Sequence, residues 1–160
     1  YITAKFGITD PPEVAATAGW ALLTLAVVIT VAQGLVFQVF KPSPTLLVKL
    51  FGPIYAISFL IIGFAPSVAV LYMGYAVLGL AFAFATPGIN GAASLAVEPH
   101  EQGTAGGYLA AANTTGAILG PLLGPFLFQI KPNLPMLAAA GLFAILSIYA
   151  FTIKVAKHDD

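Results

Sequence analysis

The polar side chains inside the apolar stretches of this 160-residue chain are neutral. They include Thr24, Thr30, Gln33, Asn90, Ser94, Asn113, Thr114, Thr115 and Gln129. The ionisable residues Asp10, Glu13, Lys41, Lys49, Glu98, His100, Glu101 and Lys131 fall at the ends of those stretches or between them. A proton relay or ion pathway places a carboxylate, histidine or lysine within the membrane interior, and none stands there. The chemistry open to the interior is hydrogen-bond recognition. An amide in hydrocarbon needs a partner, whether another helix, water in a cavity or a ligand. For Asn90 and Asn113 the sequence leaves all three open. Gln33, Asn90, Ser94, Asn113 and Thr114 are the candidates for lining a substrate cavity.

Other chemistry is poorly served. Glu13 stands three residues after Asp10, the spacing of a helix capping box, and reads as a cap. His100, between Pro99 and Glu101, is a connection residue, and a single histidine makes no metal site. No HExxH is present, and Gly91–Leu95, GAASL, lacks the second glycine of a nucleophile elbow. The expectation is a protein that is not an enzyme and carries no cofactor.

The elements that position these residues are membrane helices. The chain is 59% hydrophobic and 8% charged, with a mean hydropathy of +0.97, where soluble domains carry roughly a quarter charged residues. All six basic residues are lysines, the formal net charge is zero, and nothing points to a nucleic-acid partner. With no cysteine, disulfides and thiol chemistry are excluded. A bilayer core of about 30 Å takes about 20 apolar helical residues. Five stretches meet that length, at about 11–36, 44–64, 68–97, 104–130 and 134–154. Asp10, Ser43 and Asn133 introduce three of them as caps. The connections KPSP, APS, EPHEQG and KPN are short, so consecutive helices lie antiparallel in a single membrane domain over 1–160. The opening YITAKFGITD has neither a leading Met nor a basic-then-apolar leader, and reads as part of a longer protein.

The fourth stretch, TAGGYLAAANTTGAILGPLLGPFLFQI, carries no charge. It holds Gly116, Gly120 and Gly124 with Pro121 and Pro125, a composition few soluble helices tolerate. Neighbouring membrane helices can re-satisfy the freed carbonyls, and small residues let backbones approach. Asn113 and the three glycines follow helical spacing and share one face. That face is expected to pack, with kinks at the prolines. Pro87-Gly88 in the third stretch and Gly52-Pro53 in the second are expected to interrupt their helices. Lysines set the orientation. Lys41, Lys49, Lys154 and Lys157 against Lys5 and Lys131 predict a cytoplasmic C-terminus and an outside N-terminus.

The run PGINGAASLAVEPHEQGTAGGYLAAANTTGAILGPLLGPFLF, residues 87–128, resembles the tenth and eleventh helices of major facilitator superfamily transporters. It looks most like bacterial drug:proton antiporters, including the tetracycline-efflux group. Glu101-Gln102-Gly103 is similar to the acid-polar-Gly connection before that family's eleventh helix. Gly116-x-x-x-Gly120-Pro121-x-x-Gly124 resembles the antiporter signature of the fifth helix, whose counterpart the eleventh is. The resemblance implies an all-α bundle, with these five spans as helices eight to twelve of a twelve-helix fold. It implies a bacterial cytoplasmic membrane and small-molecule export by alternating access between two halves. It also implies proton coupling through a carboxylate on an N-terminal half. Spans one, three and four are expected to face the cavity, and spans two and five the lipid. The Gly-x-x-x-Asp-Arg gating motif has no counterpart in Gly34–Pro44, which lacks both Asp and Arg. Composition alone equally suits a membrane scaffold that packs on partners and transports nothing.

Overall fold

Helix starts follow from local chemistry. Ser43 accepts a hydrogen bond from the Leu46 N–H at 3.3 Å, and Ser67 accepts one from Val70 at 3.4 Å. Each satisfies a backbone donor with no partner inside the first helical turn. Pro11 and Pro44 occupy first positions, where a missing N–H costs nothing. A computed structural model describes residues 1–152, and at 36 and 37 their backbone alone. Its helices are α1 (Ile2–Phe6), α2 (Pro11–Val39), α3 (Pro44–Phe64), α4 (Val68–Leu95), α5 (Gln102–Ile130) and α6 (Leu134–Thr152), with a 3₁₀ turn at Pro99–Glu101. The all-α bundle expected from composition is the fold of the described residues.

The five long helices coincide with the five predicted spans to within a few residues at each end. The fifth prediction ran to 154, and its last two residues lie outside the described residues, as do Lys154 and Lys157. Four helical segments, Pro11–Leu35, Pro44–Phe64, Val68–Leu95 and Leu134–Thr152, are long and apolar enough to cross a membrane. Helix α5 has the length, 29 residues, and no charge. Its glycines, prolines, threonines and amides dilute its hydropathy, and it is not among the four.

The interrupted helices expected at the Gly-Pro pairs are continuous. Pro53 lies inside α3, Pro87 inside α4, and Pro121 and Pro125 inside α5. Proline's fixed φ is itself helical, so what it removes is one hydrogen bond to the residue four back. The glycine beside each of the first two prolines meets a neighbouring helix instead. Gly52 receives Ser147 of α6, and Gly88 receives Leu47 of α3.

Packing is inside out compared with a soluble protein. The buried residues are dominated by alanine and glycine, among them Ala21, Ala81, Ala83, Ala85, Ala140 and Gly79. Trp20, Leu35, Phe64, Leu122, Phe126 and Ile145 stand outward, each at least 60% exposed. Small residues inside and large apolar ones outside suit hydrocarbon as the solvent. Helix α3 forms the centre, packed on α4 and α6, and α2 lies on the far side of α4. At that crossing a Cβ on Gly79 would stand 2.7 Å from the Leu25 carbonyl oxygen and 3.0 Å from the Val28 Cβ. Helix α5 packs chiefly on α4, α6 and the 3₁₀ turn, and among the described residues it buries none of its own.

The N-terminal segment ties onto the end of α3. The Tyr1 hydroxyl donates to the Ile62 carbonyl and the Lys5 ammonium donates to the Gly63 carbonyl. Carbonyls in the last turn of a helix lack intrahelical partners and carry its negative dipole end, so both donors suit the place. Burial, with Tyr75 adding to it, pushes the Tyr1 phenol up to about 12, and burial lowers Lys5. Gly7 closes α1 at φ 70°, and Lys41 follows α2 at φ 41°, a left-handed conformation that disfavours a side chain.

Candidate functional site

Hydroxyls in the spans look after themselves. Thr24, Thr30, Thr114 and Thr115 each donate to the carbonyl four residues back at 2.8–2.9 Å. Ser58 donates to Tyr55 at 2.8 Å and Ser147 to Phe143 at 2.6 Å. These bonds use the hydroxyl protons of those six side chains within their own helices; Thr86, on the wall of the central cleft, and Ser94 make no such bond among the described residues. Thr114, an expected cavity residue, is exposed and spends its proton on Ala110.

The amides have no such local outlet. Asn90 and Asn113 line one cleft of about 310 Å³ between α3, α4, α5 and α6. Among the described residues neither amide has a hydrogen-bond partner, and no sealed polar atom goes unpaired, so both open into the cleft. Ser94 lines an adjoining cleft of about 230 Å³ that shares Asn90 and Leu109 with the first and adds Gln102. Gln33 is exposed on α2 and lines neither cleft.

Aromatic rings form the other wall. Tyr55 of α3 lies stacked on Phe143 of α6, with centroids 4.3 Å apart and planes at 16°. Phe82 of α4 meets Tyr55 edge-on at 5.3 Å, and Phe51 meets it at 6.1 Å. Phe143 is the central residue of α6, which places the cleft near mid-height of the bundle. The sequence reading weighed amides and missed this wall, because it placed spans two and five toward lipid. The structure brings both to the cleft. The signal available was the i, i+4, i+8 spacing of Phe51, Tyr55 and Phe59 along one face of α3.

The proposed glycine face is placed differently again. A Cβ on Gly116, Gly120 or Gly124 would meet nothing within 4 Å, so that face is open among the described residues. Pro121 and Pro125 are exposed on the same helix. The glycines that meet a neighbouring helix are Gly52, Gly63, Gly74, Gly79, Gly88 and Gly91, one to three per crossing. His100 is exposed beside Glu98 at 3.4 Å, a solvated connection as expected. Among the described residues no group of three His, Cys, Asp or Glu side chains could hold a metal.

Apolar helices with small residues at their crossings, set around a central cleft of amides and rings, are those of an integral membrane protein. The chain belongs to the Major Facilitator Superfamily, whose pattern it matches along residues 1–160. It is similar to "Multidrug resistance protein 1" of Bacillus subtilis (strain 168), 33% identical over 97 residues. That match takes in 59% of this chain and 25% of the Bacillus protein. No solved structure matches. Members of this family are transporters rather than enzymes, and they move small molecules across a lipid bilayer.

Proposed function

We propose that the chain supplies helices eight to twelve of a twelve-helix secondary transporter that exports small hydrophobic compounds in exchange for protons. The observation that carries this reading is the central cleft, where Asn90 and Asn113 stand unpaired beside four aromatic rings with no charged side chain on the wall. Neutral donors and acceptors in an apolar slot orient a hydrophobic solute without holding it too tightly to leave. Helix α5, the fifth span, is the lightly held wall, and its movement against α4 and α6 would open and close the cleft as the two halves rock. The coupling carboxylate belongs to an N-terminal half, since the one carboxylate within the described spans, Glu13, stands in the first turn of α2. The drug-resistance name of the Bacillus relative supports export. The lysine distribution favours a cytoplasmic C-terminus in a bacterial inner membrane.

The test is efflux by cells expressing the native protein with Asn90→Leu or Asn113→Leu. The expected result is export slowed by about tenfold, the loss of one or two hydrogen bonds to the solute, with unchanged amounts of protein in the membrane. Unaltered export by both variants would refute the reading. Loss of the protein from the membrane, or of its assembly with partners, would support the scaffold alternative instead.

A further inference from the structure

The cleft does more than mark a substrate cavity, because its lining excludes one class of solute and selects another. Four groups on its wall have open hydrogen-bonding capacity among the described residues: the Asn90 and Asn113 amides and the Tyr55 and Thr86 hydroxyls. Each amide offers both a donor and an acceptor, and a phenol offers one of each. We propose that this cleft binds a neutral, flat aromatic molecule bearing an amide-like edge, and that Tyr55 sets that preference. The inference rests on the export reading and names the substrate class of the same site.

Shape comes first. Tyr55, Phe143 and Phe59 lie within 17° of one another in plane. Phe82 closes on Tyr55 edge-on at 73°. A flat ring entering the cleft continues this parallel set and keeps the offset or edge contacts that aromatic quadrupoles favour. A volume of about 310 Å³ is at the small end for ligand pockets, which suits one or two fused rings rather than a large amphiphile.

Charge comes second. Among the described residues no acidic or basic side chain lines the cleft. The carboxylates nearest in sequence, Glu98 and Glu101, lie beyond the end of α4 and are exposed. A cation moved here would lose its hydration with no counter-charge. Aromatic faces can offset that by cation–π attraction, but Tyr55 lends a face to Phe143 at 4.3 Å. The rings face one another, and a cation finds no open cage.

Polarity comes third. The two amides come from different helices, α4 and α5, so a solute with a donor and an acceptor side by side can bridge them. The adjoining cleft of Asn90, Ser94 and Gln102 continues from this one toward the connection between α4 and α5. It gives a polar route along the seam for the solute's amide edge, while its ring follows the apolar side.

The experiment measures binding of tritiated naphthamide to the native protein in nanodiscs, with empty nanodiscs subtracted. Naphthyltrimethylammonium, of similar size but charged, serves as competitor. Naphthamide is expected to bind at least tenfold more tightly than the cation. Tyr55→Phe and Asn113→Leu are each expected to weaken naphthamide binding by about tenfold, one hydrogen bond's worth. Equal or tighter binding of the cation overturns the proposal, and this comparison needs no variant to fold. Unchanged naphthamide binding in Tyr55→Phe overturns the role of that residue. Uptake into inverted vesicles separates the two readings. Naphthamide bound but not moved leaves the inference standing and refutes export, whereas transport of other compounds with no naphthamide binding does the reverse.

Discussion

Two glycine-to-alanine substitutions that look alike in sequence should have opposite effects. Gly79 sits in α4 where α2 crosses it, and Gly116 sits in α5 with an open face. An alanine Cβ at 79 would stand 2.7 Å from the Leu25 carbonyl oxygen, an atom of the α2 backbone that cannot rotate away. Cβ atoms essentially never approach another heavy atom closer than 3.0 Å. The two helices must separate by several tenths of an ångström, pulling Val28 off α4 as well. Overpacking of this kind costs about 1–3 kcal/mol. Helix propensity gives back up to about 1 kcal/mol, since alanine is the better helix former. Gly79→Ala is thus expected to be neutral to destabilising by about 2 kcal/mol. At 116 only the propensity term operates, and Gly116→Ala should stabilise by about 0.5–1 kcal/mol. Thermal unfolding in detergent, followed by the helical circular dichroism signal, reads both. A rise in midpoint for Gly79→Ala as large as that for Gly116→Ala would refute the α2–α4 contact.

Two further outcomes follow from the ends of the helices. The Tyr1 phenol is raised from its ordinary 10 to about 12, so the folded state holds the proton more tightly than the unfolded state does. Its contribution is fully present below pH 10 and is lost as pH rises from 10 to 12. The unfolding midpoint should fall more steeply across that window in the native chain than in Tyr1→Phe; parallel curves would contradict the burial of the Tyr1 phenol. Lys41 occupies a left-handed conformation at φ 41°, so Lys41→Gly should raise the midpoint by the equivalent of about 1 kcal/mol. A lower midpoint would show that the lysine side chain offsets the strain.

Helix positions were legible because apolar length and capping residues are local signals. Ser43 caps α3 as its place before Pro44 implied. Helix α2 runs to Val39, past the expected end at 36, and Lys41 follows it in a left-handed turn. What local signals could not tell is which helix comes alongside. Gly116, Gly120 and Gly124 have the most suggestive spacing in the chain and touch nothing, whereas Gly74 and Gly79, which form no repeat with them, carry α3 and α2 against α4. Asn90 and Asn113 were legible as candidates because an amide in hydrocarbon is conspicuous, but their sharing of a cleft depends on how α4 and α5 approach. Tyr55 looked like an ordinary aromatic on a lipid-facing helix until α6 was seen to stack Phe143 upon it.

The self-contained hydroxyls have a consequence for how the bundle moves. Among the described residues, every side-chain hydrogen bond made by a hydroxyl within the spans returns to a carbonyl of its own helix. The bonds that reach between elements, from Tyr1 and Lys5, act at the end of α3. No latch therefore fixes one span's height against another at mid-membrane. Sliding or rolling of a helix trades one set of methyl contacts for another, with no directional bond to break. Among the described residues the spans are thus tied by directional bonds at one edge and held elsewhere by the fit of small residues alone.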